Sequence, residues 1–149
     1  MKLKKFSYKK VISTNLTAIR LIRVGKSSGF VNSEIQSKGR GQRGNKWISK
    51  YGNIFISVFF SINQKISIQN ITKKNLNIVK KIIRKYVNKK IEIKRPNDIL
   101  IEKSKVCGIL QETLFKDESK FLIIGVGINL ANTPYILSLI HISEPTRPY

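Results

Sequence analysis

A chain of 149 residues with 41% hydrophobic content is one domain's worth of foldable sequence, which excludes an intrinsically disordered protein. Its single cysteine, Cys107, excludes a disulfide framework and a cysteine-based metal cluster, and no apolar run is long enough to form a membrane-spanning helix. The formal net charge of +21 attracts polyanions, but lysine, asparagine and isoleucine are abundant throughout, so a compositional bias gives the same balance.

The opening "MKLKKFSYKKVI" is basic and lacks the apolar core of a secretory signal, so a cytoplasmic location is expected. "STNLTAIRLIRVGK" carries apolar residues at helical spacing, with Ser13 or Thr14 placed to cap it. "FVNSEIQ" reads as a short strand that leads into a glycine-rich loop. "NIFISVFFS" is β-branched and aromatic, too apolar for a solvent face, and predicts a central strand. "ITKKNLNIVKKIIRKYVNKK" puts Leu76, Val79, Ile83, Tyr86 and Val87 on one face of an amphipathic helix. "IEIK", "ILIEK", "KVCGILQETLF" and "FLIIGVGIN" read as four strands, with "KDES" as the turn between the last two. The pattern predicts an α+β fold, a mixed β-sheet packed against helices.

Some familiar motifs fail. "VGKSSG" lacks the first glycine of a phosphate-binding loop, because Arg20 stands there. "GVGINL" has Leu130 in place of the third glycine of a dinucleotide fingerprint; its glycines are expected to admit a ligand close to the strand. Carboxylates are scattered singly and the only histidine, His141, lies near the end, so paired acid–base chemistry is not expected. The loop "SKGRGQRGNKW" at 37–47 instead puts four cations and three glycines into eleven residues. Glycine lets backbone amides turn toward an anion, and arginine's planar fork suits carboxylate or phosphate oxygens. A solvated hairpin tip or an RNA-binding arginine–glycine loop is the plain alternative.

Five segments then occur in one order: "STN" at 13–15, "KGRGQRGNKW" at 38–47, "KRPNDIL" at 94–100, "KVCGIL" at 105–110 and "GVGINL" at 125–130. Together they resemble the catalytic domain of the biotin–protein ligases, also called biotin–[acetyl-CoA-carboxylase] ligases. The resemblance implies a class II aminoacyl-tRNA synthetase-like fold. It also implies activation of biotin by ATP with Mg²⁺ to biotinyl-5′-AMP, then transfer to a lysine of a biotin carboxyl carrier domain. By the same resemblance Ser13, Thr14, Asn15, Gln36, Arg40, Gly41, Gln42, Lys105 and Gly108 surround biotin. Arg40, Arg43, Trp47, Asn97, Asp98, Lys105 and Asn129 face the ATP or adenylate. Lys105 and Arg40 take the catalytic roles, and Asp98 contacts Mg²⁺. The plain alternatives are a helix cap for Ser13 or Thr14, a strand end for Gln36, a snorkelling edge lysine for Lys105, a turn for Asn97 and Asp98, and core packing for Trp47. A related lipoate ligase and a basic RNA-binding module are the competing functions.

The sequence departs from the family pattern at two places. Gln42 stands where a basic residue is common, and Arg95 where an aromatic is common. No helix-turn-helix pattern precedes "STN", so no DNA-binding domain is expected; a homodimer stays open as a partner. "LSLIHISEPTRPY" has no lysine and resembles translated sequencing-adaptor sequence. The expected organisation is an incomplete catalytic domain over 1–136 and a non-native segment over 137–149.

Overall fold

β-Branched runs and two amphipathic segments assemble into one mixed sheet with two helices in the computed structural model, which describes residues 2–130. The strands are β1 (Lys5–Val11), β2 (Ser28–Gln36), β3 (Ile54–Ile62), β4 (Ile91–Lys94), β5 (Asp98–Ile101), β6 (Ser104–Lys116) and β7 (Ser119–Ile128). They lie in the order β1-β2-β3-β7-β6-β5-β4, parallel only between β1 and β2. Helix α1 (Thr14–Arg23) follows β1, and α2 (Ile68–Arg84) follows β3.

Alternation along the strands divides the core in two. On β7, Phe121 and Ile123 join Val31 and Phe59 against Ala18 and Ile22 of α1. Ile124, Val126 and Ile128 of the same strand pack with the cluster built around Leu76 and Ile83 of α2. The expected central strand β3 is hydrogen-bonded on both edges, with Phe55, Ser57 and Phe59 buried. A fully buried side chain such as Ile22 contributes about 1.5–3 kcal/mol.

Helix α1 begins where expected. The Ser13 hydroxyl accepts a hydrogen bond from Leu16 N at 3.3 Å, which satisfies one orphan amide of the first turn. Arg20 and Arg23 sit in the last turn, where cations oppose the negative end of the helix dipole. Helix α2 starts at Ile68, capped by Ser67, which is earlier than its apolar pattern suggests. Tyr86, expected on the buried face, is 40% exposed instead, whereas Val87 is 3% exposed. The helix ends at Arg84, so its register does not extend to either residue.

Strand β1 was not expected from the sequence. It is an edge strand with one neighbour and a largely exposed pattern, so it carries no alternation to read. The turn between β6 and β7 falls at "KDES" as expected, with Asp117 at φ 55°, a left-handed conformation that aspartate tolerates. The segment 137–149 and His141 lie outside the described residues.

Candidate active site

The sheet face that α1 packs against has a patch without side chains. Gly108 of β6 is paired with Gly127 of β7, and Gly125 is the partner of Leu110. Protein side chains fill that space. A Cβ at Gly125 would lie 2.4 Å from Asn15 Oδ1, and one at Gly127 would lie 2.7 Å from Trp47 Nε1. A Cβ at Gly108 would meet the other edge of the same indole, at 2.7 Å from Cζ3. The glycines of "GVGINL" therefore do allow a close approach, but Asn15 and Trp47 make it.

A cavity of about 250 Å³ opens above this floor. It brings together Ser13, Thr14, Asn15, Gln36, Arg40, Gly41, Gln42, Arg43, Trp47, Asn97, Asp98, Lys105 and Gly108. Those residues come from the start of α1, the end of β2, the loop 37–47, the β4–β5 turn and β6. Asn129 is not in the lining; its backbone N–H donates to Val106 O at 2.7 Å and its side-chain oxygen accepts from Asn53 Nδ2 at 3.4 Å.

One wall is a chain of neutral polar groups. Gln36 Oε1 accepts from Thr14 N at 2.8 Å and from Thr14 Oγ1 at 3.2 Å, and Gln36 Nε2 donates to Ser49 Oγ at 3.2 Å. The Ser57 hydroxyl lies 2.8 Å from Thr14 Oγ1 and 2.5 Å from Asn15 Oδ1. Asn15 Nδ2 donates to Glu112 Oε2 at 2.9 Å and to Leu110 O at 3.3 Å. Linked this way, the amides and hydroxyls hold fixed orientations.

Two cations of the lining are each held by a carboxylate. Lys105 Nζ is 3.0 Å from Asp98 Oδ1 and 5.1 Å from the centroid of the Trp47 ring. Arg40 makes a two-pronged ion pair with Glu112, with Nη1 to Oε2 at 3.2 Å and Nη2 to Oε1. The loop closes on itself through Trp47 N to Gly39 O at 2.9 Å and Gly41 N to Asn45 O at 2.7 Å. Arg43 takes a left-handed conformation, φ 54° and ψ 40°, unusual for a residue with a Cβ.

Two buried polar atoms, Trp47 Nε1 and Asn97 Oδ1, have no partner among the described residues. Each such orphan costs about 1–3 kcal/mol until a partner arrives. Asn97 is held in place, with Nδ2 donating to Ile109 O at 2.7 Å and Ile109 N donating to its carbonyl at 3.0 Å. Cys107 lies beneath the site, and burial pushes its thiol up to about 12, with Asp98 adding to the shift and Lys105 opposing it. A thiol so protonated is not a nucleophile. No group of three or more His, Cys, Asp or Glu side chains gathers among the described residues. The arrangement suits holding anions together rather than supplying an acid and a base.

Sequence reasoning did not find Ser57 or Glu112. Ser57 had a signal, as the one polar residue inside the apolar run "IFISVFF". Glu112 had none, because its meeting with Arg40 depends on how the loop after β2 folds back over β6.

The model of the biotin/lipoate A/B protein ligase family matches residues 9–129. The chain is 34% identical over 122 residues to the bifunctional ligase/repressor BirA of Escherichia coli, covering 80% of this chain and 38% of that protein. It thus spans well under half the length of that curated relative. The biotin protein ligase of Aquifex aeolicus in complex with biotin and ATP has a TM-score of 0.69 and 32% identity, covering 85% of this chain and 52% of that one. The biotin protein ligase of Leishmania major in complex with biotinyl-5-AMP has a TM-score of 0.70 and 25% identity, covering 88% and 59%. The sheet and helices have the class II synthetase-like fold of biotin protein ligase catalytic domains, as the resemblance implied. On its sequence and its fold, the chain belongs to the biotin/lipoate A/B protein ligase family.

Proposed function

We propose that this chain carries the catalytic site of a ligase that activates biotin with ATP to biotinyl-5′-AMP and then transfers biotin to a lysine of a carboxyl carrier domain. The observation that carries this reading is the cavity itself. It joins an aligned neutral polar wall, a flat apolar surface at Trp47 and two paired cations, which together suit a ureido ring, an aliphatic tail and two anions. Relatives of similar fold hold biotin with ATP, or biotinyl-5-AMP.

In this reading Ser13, Thr14, Asn15 and Gln36 align the ureido ring, with Gly41 and Gln42 at the loop side. The biotin carboxylate oxygen attacks the α-phosphorus, an O–P bond forms, and the bond to the departing pyrophosphate breaks. Two anions repel at attacking distance, so Lys105 and Arg40 lower the barrier by holding both and by meeting the charge that builds at phosphorus. Arg43 and Asn97, both in the cavity lining, take the nucleotide side in this reading. In the second step a carrier lysine amine attacks the acyl carbon and AMP leaves.

Asp98 is the one carboxylate in the cavity lining. Mg²⁺ is commonly bound by one or two carboxylates together with substrate phosphates, so Asp98 fits as its protein ligand once a nucleotide is present. Trp47 lies on the sheet rather than presented for base stacking, which favours the ligase over an RNA-binding module.

Limited proteolysis tests the reading. Biotin together with Mg·ATP should slow cleavage within 37–47, because the loop's cations gain an anion and its glycines lose freedom. Equal cleavage with and without the ligands would count against it.

A further inference from the structure

Acidic side chains are scarce in this chain, 8 against 29 lysines and arginines, yet one of them is spent on the arginine at the head of the basic loop. Glu112 grips Arg40 with both carboxylate oxygens. Among the described residues the loop's other cations, Lys38, Arg43 and Lys46, make no ion pair. The contact is therefore specific to Arg40 rather than a general neutralisation of the loop.

The carboxylate is the fixed partner. It stands on β6 inside a long ladder with β7, opposite Ile123. Its Oε2 also accepts from Nδ2 of Asn15, a residue only 3% exposed whose Oδ1 is in turn held by Ser57. Arg40 is the partner that needs fixing. Its backbone is held by Trp47 N to Gly39 O, by Gly41 N to Asn45 O and by a bridge to Lys46. Its long side chain, however, is 39% exposed and has Glu112 as its only ion-pair partner among the described residues. A guanidinium has five N–H donors, and the fork on Glu112 uses two, leaving three for a ligand.

We propose that Glu112 is a positioning residue that fixes the Arg40 guanidinium, and with it the basic loop, over the cavity before any ligand arrives. Asn15 and Ser57 extend the hold into the core, so loop, helix start and sheet act as one support. An arginine already oriented pays less ordering entropy when the anion binds, and meets the reacting phosphate in one geometry. The kinetic part of the test rests on the proposed ligase reading; the structural part does not.

The experiment has two arms. In the first, the ligand-free chain is digested with trypsin. Glu112→Gln keeps the side chain's size and an acceptor for Asn15, so the fold is retained while the charge is lost. Cleavage after Arg40 and Arg43 should accelerate at least about threefold, the scale of a partly exposed ion pair. In the second arm, biotinyl-5′-AMP formation is measured for Arg40→Ala, Glu112→Ala and the double variant. Each single change should lower the rate about tenfold to a hundredfold, and the double should lose no more than Arg40→Ala alone. Glu112→Asp, which keeps the charge, should retain more activity than Glu112→Gln, which keeps the size. Unchanged tryptic cleavage, additive losses, or Gln outperforming Asp would each overturn the proposal. A wild-type chain that forms no adenylate at all would sink the ligase reading, while the ligand-free digestion would still decide the role of Glu112.

Discussion

The indole of Trp47 rests on the backbone of Gly127, so close that a Cβ there would lie 2.7 Å from both Nε1 and Cε2. The only tryptophan of the chain thus closes the apolar side of the cavity, and it does so with its N–H unpartnered. The ring is held by shape rather than by hydrogen bonding.

Gly127→Ala should therefore unseat the ring. The added methyl leaves no room for the indole in its present place, and overpacking of this kind typically costs about 1–3 kcal/mol. Because Trp47 is the sole tryptophan, its emission reports the change directly. A red shift in the folded variant is expected, and an unshifted spectrum would show that the ring does not depend on the glycine seat.

Lys105→Ala removes the cation nearest Asp98 and leaves that carboxylate with no counter-charge at 3.0 Å. Adenylate formation should fall roughly a hundredfold to a thousandfold, the scale for loss of one preorganised charge-stabilising group. In the proposed reaction the charge that Lys105 meets grows in the transition state, so the loss should appear in kcat. Near-normal turnover would remove Lys105 from the mechanism.

Cys107 gives a pH dependence with a definite sign. Burial raises its thiol from 9.0 to about 12, so the folded chain keeps a proton that the unfolded chain loses first. Stability from this group is complete below about 9 and declines as pH rises toward about 12. The difference between wild type and Cys107→Ala in urea titrations should follow that window. A difference independent of pH from 8 to about 11 would contradict it. At neutral pH the same burial should make the thiol slow to react with alkylating reagents until the chain unfolds.

Much of the fold was readable because its elements have strong periods. The run around Phe55–Phe59 and the stripe from Leu76 to Ile83 each commit to one structure, and both form where expected. Strand β1 was not readable, since an edge strand with lysines on its exposed positions has no alternation to show. Of the candidate site residues named from the family resemblance, only Asn129 falls outside the cavity lining, while lining residues such as Phe55 and Leu110 were not among them. Glu112 and the seat of Trp47 were not legible. Both arise where a glycine-rich loop folds across two distant strands, and no local pattern encodes that meeting.

The central claim is that the cavity beneath the basic loop activates biotin, and the most direct measurement is formation of biotinyl-5′-AMP. The chain is incubated with labelled biotin and Mg·ATP, and the product is separated from free biotin. Wild type should yield labelled adenylate, and Lys105→Ala should yield little or none in the same period. Lipoate offered in place of biotin should give none. A folded wild-type chain that forms no adenylate from biotin, or that activates lipoate instead, would contradict the account.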